Sequence, residues 1–264
     1  MRSLGRWMCA VLLLTVATVA SADFTAYNDT CGVTSGSPAS VLNANTTTYG
    51  WAGDMDSGQL KDITSGALVA ATVTVDMTLT GWPGTGPGAY MNAGTDAANM
   101  FNAYTDTRYG VIWYGADNNN WAVDLIFSNL DPAKQYTAAT TLDRGRSDGD
   151  YPGRWSVISI VGADDSTYAS SAAAVKLSET ATSMSSYNTL GGYIAQWTDI
   201  DPGADGTFTL HFTYARDASE TNGTVPTALH KAYGPAAFML QEVPEPATMG
   251  LLAVGLLALL RRRR

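Results

Sequence analysis

Four aromatic side chains stand where they could bind a ligand at the surface. Trp51, Trp82, Tyr90 and Tyr151 lie in stretches rich in Gly, Pro, Asn and Asp, which predict loops. Flat aromatic rings stack on the C–H-rich faces of sugars, and neighbouring Asp and Asn side chains hydrogen-bond to sugar hydroxyl groups. These four residues are our candidate glycan-binding residues. The alternative is that their rings close the end of a hydrophobic core.

A second candidate is a calcium site in the segment DRGRSDGD. Asp143, Asp148 and Asp150 supply carboxylate oxygens, the ligand type that calcium prefers. Arg144 and Arg146 interrupt the series, so the alternative is a solvated turn in which the arginines neutralise the aspartates. Apart from calcium, the sequence indicates no cofactor.

Local catalytic motifs are absent from the sequence. Neither G-x-S-x-G nor H-E-x-x-H occurs, and His211 and His230 are the two histidines of the chain. We therefore expect a protein that is not an enzyme. Glycoside hydrolysis needs only two carboxylates, and the chain has many, so a polysaccharide-active hydrolase remains an alternative.

Strands must position the candidate residues, because apolar and polar residues alternate along much of the chain with a period of two. The alternation is clear in ATVTVDMTLT (71–80), WAVDLIF (121–127) and GTFTLHFTYA (206–215). Turn residues separate these segments, which predicts an all-β protein with an antiparallel β-sandwich. Further strands are predicted at residues 111–114, 136–142, 155–161, 193–198 and 236–241.

Only the segments 96–104 and 172–178 favour a short helix. In FSNLDPAKQY (127–136), the spacing of Tyr136 from the Asp-Pro turn predicts packing across the sandwich edge, as in a tyrosine corner. Trp113, Trp121, Trp155 and Trp197 lie in predicted strands, and we expect them in the core.

The composition of the central segment, residues 23–242, limits the functions that it can have. It has nine basic and 23 acidic residues, hence a net charge of −14. Such a surface repels phosphate backbones, so we expect no nucleic-acid partner. Cys31 is its single cysteine, which excludes an internal disulfide. The length suits one β-domain with a substantial core.

The N-terminus predicts export. Arg2 and Arg6 precede an apolar run over residues 9–20, and Ala20-Ser21-Ala22 is a small-x-small cleavage site. Residues 1–22 are therefore predicted to be a signal peptide, handled by the Sec translocon.

The C-terminal segment 243–264 combines Pro244-Glu245-Pro246, an apolar stretch at 247–260 and four arginines, Arg261, Arg262, Arg263 and Arg264. Fourteen helical residues span roughly 21 Å, against about 30 Å of hydrocarbon. We therefore expect a transient transmembrane helix, with the arginines on the cytoplasmic side. The two prolines prevent this helix from extending back through Glu245.

These three parts, in this order at the end of the chain, resemble the PEP-CTERM sorting signal of Gram-negative bacteria. The resemblance implies recognition by exosortase, a membrane transpeptidase-like protease, and removal of the tail. It further implies export to the cell envelope, cell surface or extracellular matrix, with membrane contact only through the transient helix.

The core resembles bacterial surface β-sandwich domains of the jelly-roll, galactose-binding-like type. The resemblance lies in FNAYTD (101–106), FSNLDPAKQY (127–136), RWSVISI (154–160) and TDIDPGADGTF (198–208). It implies a fold and carries no ligand contacts.

Together these features predict an exported adhesion or carbohydrate-binding module. One alternative is a structural protein of the exopolysaccharide or biofilm matrix without a defined small ligand, and the second is the hydrolase.

Mass spectrometry of the surface protein should find no peptide beyond the Pro244–Pro246 region, because exosortase removes the tail. Detection of the Arg261–Arg264 cluster on the mature surface form would contradict this expectation.

Overall fold

The computed structural model describes residues 24–30, 43–50, 55–78, 82–85, 90–107, 111–114, 121–143, 151–223 and 232–243. The predicted signal peptide and the sorting tail from Pro244 onwards lie outside these ranges, as do Trp51, Asp148 and Asp150.

The described residues are almost entirely strands and turns. In chain order the elements are β1 (Thr25–Asp29), β2 (Met55–Lys61), β3 (Leu68–Thr78), β4 (Trp82–Thr85), helix α1 (Asp96–Phe101), β5 (Val111–Tyr114), β6 (Ala122–Ser128), β7 (Gln135–Thr141), β8 (Trp155–Val161), β9 (Asp165–Tyr168), β10 (Val175–Lys176), β11 (Ala181–Ser185), β12 (Ala195–Asp201), β13 (Phe208–Tyr214) and β14 (Ala237–Val243).

Two antiparallel sheets form the sandwich, as predicted. One has five described strands in the order β1-β14-β7-β12-β9, and the other has seven in the order β10-β11-β8-β13-β6-β3-β2. Strands β4 and β5 pair separately as a hairpin. The main hydrophobic core combines residues from both sheets, and Phe127 of the larger sheet meets Phe238 of the smaller one edge-on at 5.5 Å between ring centroids.

The predicted alternation determines which side chains enter this core. Val73, Val75 and Met77 of β3 are buried, and so are the alternate residues of β6 and β13. Trp121, Trp155 and Trp197 are also buried, which confirms three of the four expected core tryptophans. The side chain of Trp113 is outside the described atoms.

Tyr136 forms the predicted tyrosine corner. Its side chain is 1% exposed, and the backbone N–H of Asp131 donates a 2.8 Å hydrogen bond to its hydroxyl oxygen. This bond fastens the turn between β6 and β7 to the core. Burial raises the pKa of Tyr136 to about 12; the hydrogen bond from Asp131 opposes this rise, and the carboxylates of Glu242 and Asp131 add to it.

Two local predictions are wrong. Residues 172–178 contain no helix, because Val175 and Lys176 pair with Ser183 and Thr182 of β11 and so form strand β10. Trp82 does not lie in a loop, because its backbone pairs with Tyr114 and begins strand β4. The predicted helix at 96–104 is confirmed in its first part, as α1.

The fold should lose stability above pH 10 through Tyr136. The unfolded tyrosine ionises near 10.0 while the folded one holds its proton to about 12, so the unfolded state binds fewer protons in this window and the free energy of unfolding falls as pH rises. We expect a loss of about 2 kcal/mol from this residue across the window.

Urea unfolding at pH 9 to 12 measures the effect, with Tyr136→Phe as the comparison. The variant should be about 1 kcal/mol less stable at neutral pH, because Asp131 loses its hydrogen-bond acceptor. It should then lose less further stability in alkali. The same alkaline loss in both proteins would contradict the assignment.

Candidate functional site

The outer face of the five-stranded sheet carries the candidate site. On β1 and β14, strand alternation points Thr25, Tyr27, Met239 and Gln241 away from the main core, and on β12 it does the same for Gln196. The register sets Tyr27 opposite Met239, and Thr25 opposite Gln241, so these side chains form two adjacent rows across the sheet.

Strand β7, in the middle of this face, contributes small side chains to it. Its outward residues there, Thr137 and Ala139, are small, and Ala139 lies between Met239 of β14 and Gln196 of β12. Both residues are buried, so the larger side chains of β1, β14 and β12 form the surface on either side of β7.

Helix α1 covers the next part of the same face. Its buried residues Ala97, Ala98 and Phe101 pack with outward residues of the sheet, including Ile194 and Met239, in a second hydrophobic cluster. Thr95 caps the helix by accepting a hydrogen bond from the Ala98 N–H at 3.3 Å. The cap and this packing fix the helix against this face of the sheet.

The result is an open cleft of about 820 Å³. Its floor includes Tyr27, Gln196, Met239 and Gln241. One long wall is the α1 side, and the two ends are formed by residues 63–64, beside β1, and residues 169–172, beside β12. This volume lies within the range of ligand pockets, about 300–1,000 Å³.

A hydrogen-bond relay joins the helix to the sheet at the β12 end. The Ser171 hydroxyl donates to Asp96 Oδ2 at 2.6 Å and accepts from the backbone N–H of Ile194 at 2.9 Å. The Ala97 N–H also donates to the backbone oxygen of Gly192, at 2.8 Å. Asp96 therefore faces the cleft from a fixed position, with one carboxylate oxygen bound to Ser171.

A tyrosine pair lines the cleft near β1. The rings of Tyr27 and Tyr104 stack at 4.3 Å with an interplanar angle of 22°. Burial raises the pKa of Tyr27 to about 12, and the nearby Tyr104 hydroxyl adds to the rise. The Tyr27 hydroxyl is therefore present as a neutral donor and acceptor at physiological pH.

The lining carries little charge. Among its described residues Asp96 is the one Asp or Glu, and none is Lys, Arg or His. The side-chain amides of Gln196 and Gln241 make no hydrogen bond to the described protein atoms, so their donors and acceptors are open to a ligand.

Of the four sequence-predicted aromatic residues, Tyr90 is the one whose side chain the structure describes. Tyr90 is 38% exposed in the segment that leads into α1, and it is not among the described lining residues. Trp82 lies in β4 and Tyr151 in a 3-10 turn, with side chains outside the described atoms, and Trp51 lies outside the described residues altogether. Sequence reasoning missed the cleft because it did not predict β1, which supplies Tyr27.

Of the three aspartates of the calcium prediction, Asp143 lies within the described residues. Asp143 is buried and accepts a 3.0 Å hydrogen bond from the Thr189 hydroxyl, while Asp148 and Asp150 lie outside the described residues. Across the ranges that the structure describes, His, Cys, Asp and Glu form no group of three suited to a metal ion.

His211 lies on the outer face of the seven-stranded sheet, as its polar-face position predicted. Its Nδ1 atom is 2.5 Å from Asp124 Oδ1, and both side chains are about one-third exposed. Ser159 is its neighbour on β8 by register, but no described serine hydroxyl hydrogen-bonds to the ring. The described atoms therefore give a His–Asp pair without a serine nucleophile. His230 lies outside them.

Ser171→Ala should destabilise the protein by about 1–3 kcal/mol, because it leaves the buried N–H of Ile194 without an acceptor. Denaturant unfolding measures the change. Asp96→Asn is the matched control, since an amide oxygen can still accept from Ser171, and it should cost less. A Ser171→Ala protein as stable as the wild type would show that the relay does not fasten α1.

Comparison with known proteins concerns the C-terminal end. A family model described as the PEP-CTERM protein-sorting motif matches residues 242–264. No curated protein and no solved structure matches the chain. No helix among the described residues is long and apolar enough to cross a membrane, and the predicted helix at 247–260 lies outside them.

The matched range includes Pro244-Glu245-Pro246 and the arginines from Arg261 to Arg264, as the sequence predicted. The chain therefore carries a PEP-CTERM protein-sorting motif, which marks it as a secreted substrate of exosortase, exported to the cell envelope or surface.

Proposed function

We propose that this exported protein is a non-catalytic adhesion module that binds extracellular carbohydrate in the cleft on the outer face of its five-stranded sheet. The observation that supports the proposal most directly is the lining of that cleft, which combines fixed hydrogen-bonding groups with apolar surface. Carbohydrate sites need both, because a sugar presents hydroxyl groups at its edge and C–H groups on its faces.

The polar groups are of the right kind. Sugar hydroxyls both donate and accept hydrogen bonds, and so do the amides of Gln196, Gln241 and Asn99 and the hydroxyl of Thr25. Tyr27, Met100, Met239 and Ile194 supply apolar surface between them. The sheet and α1 fix the backbone of these residues, so binding has to order side chains only.

The sorting motif supports this proposal because it places the protein outside the cell, where polysaccharide is found. A secreted protein at the cell surface meets polysaccharide at high local concentration, so even weak binding at one cleft contributes to adhesion when many copies are displayed. The acidic central segment keeps such a protein soluble and disfavours nucleic acid as its partner.

Glycan-array binding by the purified exported protein tests the proposal. We expect selective binding that the double change Gln196→Ala and Gln241→Ala weakens by about tenfold or more, the equivalent of losing about 1.4 kcal/mol of hydrogen bonding. Gln135→Ala is the matched control, because Gln135 is an exposed glutamine on the same sheet outside the described lining.

Further variants and conditions in the same assay distinguish the cleft from the alternative sites and functions. Binding that falls with Trp51→Ala, Trp82→Ala, Tyr90→Ala or Tyr151→Ala, but not with the cleft change, would move the site to the sequence-predicted aromatics. Loss of binding with a chelator would indicate calcium at the Asp143 segment. A blank array would favour the structural matrix protein, and release of shorter sugars would favour the hydrolase.

A further inference from the structure

We infer that the ligand of the cleft is an uncharged polysaccharide segment that runs across the strands from the β1 side to the β12 side. The inference rests on the proposed function and adds the class of carbohydrate and its direction. It follows from the charge of the lining, from the chemistry of its polar groups and from the layout of the floor.

The first step concerns acidic polysaccharides. A uronate or sulfate group in the cleft would need a cation as partner, and no described lining residue is Lys, Arg or His. The charged side chain that is present, Asp96, is an acid. An anionic polymer would therefore lose hydration and meet a like charge, and the net negative charge of the chain would slow its approach.

The second step concerns cationic polysaccharides. Asp96 is exposed, and one of its oxygens already accepts the Ser171 hydrogen bond. A single exposed ion pair adds little to binding and is screened by salt. Asp96 is better placed to accept from a sugar hydroxyl with its second oxygen, since Ser171 holds the carboxylate in one orientation.

The third step concerns direction. Gln241 lies on β14 and Gln196 on β12, with the small residues Thr137 and Ala139 of β7 between them. The two amides are therefore separated across the strands by about two strand spacings, roughly 10 Å. A ligand that bonds to both amides must span the width of β7, so an oligosaccharide matches the site better than a single sugar.

Affinity for a matched series of polymers tests the inference. Dextran and hydroxyethyl cellulose are each compared with their anionic carboxymethyl and cationic diethylaminoethyl derivatives, and the glycan that the array selects is included. The assay is affinity electrophoresis or calorimetry with the full exported protein. We expect at least one neutral polymer to bind about tenfold more tightly than its carboxymethyl form, and to keep its affinity within about twofold at roughly 0.5 M salt.

Variants locate the effect in the cleft. Asp96→Asn should raise the relative affinity for the carboxymethyl polymer by about threefold or more, because it removes the like charge while keeping an oxygen for Ser171. Asp165→Asn is the matched control, since it removes one exposed carboxylate from β9, outside the described lining. It should leave the ratio of neutral to carboxymethyl affinity unchanged.

The outcomes are distinguishable. Binding only to a charged derivative, equal binding to neutral and charged forms, or binding lost at high salt would overturn the inference and leave carbohydrate binding intact. The same response to Asp96→Asn and Asp165→Asn would remove the assignment to this cleft. No binding to any polymer or array glycan would overturn the proposed function and the inference together.

Discussion

The pairing of β14 between β1 and β7 is the constraint on which the rest of the structure depends. It joins the first and last described strands of the chain in one sheet, through Thr25 with Gln241 on one side and Val243 with Gln135 on the other. The inward residues of β14, Phe238 and Leu240, enter the main core, while its outward residues form part of the cleft floor. One strand therefore carries both the stability of the sheet and the shape of the site. Because its partners are far away in sequence, the sheet is complete only after the last part of the domain has joined it.

The cleft exists because α1 covers only part of the outer face. An antiparallel sheet commonly has one face on the core and one in water. Here the helix buries Ala237, Ala139 and Ile194 under Ala97 and Phe101, and leaves the rows beside them open. The cleft lies at the boundary between the part of the sheet that α1 covers and the part that it leaves exposed. The site is thus a product of incomplete coverage, with the polar residues placed where the helix ends.

Patterns local in sequence predicted the fold well. The alternation around Val73 and Val75 and the spacing of Tyr136 from its turn each depend on neighbouring residues, and both predictions agree with the structure. The error at residues 172–178 has the opposite origin: Ala-rich composition favours a helix, but pairing of Val175 with Ser183 on β11 decides the conformation. Tertiary contacts overrode the local preference there.

The candidate site could not be predicted in the same way. Tyr27, Gln196 and Gln241 come from three strands, and only the order β1-β14-β7-β12 brings them to one face. Nothing in the residues around Gln196 distinguishes it from a polar residue on an ordinary solvated face. Tryptophan is a rare residue type and is conspicuous in a sequence, whereas the cleft is lined by common residues that the strand order brings together.

The end of β14 has a mechanical consequence for the exported protein. The sorting-motif match begins at Glu242, and Glu242 and Val243 are still paired with Tyr136 and Gln135, so no flexible stalk separates the domain from the motif. In a product joined to a surface close to this motif, the attachment point would follow the last paired residues of β14 directly, so the domain would lie close to that surface. A cleft that binds carbohydrate, as we propose, would then act on chains near the cell.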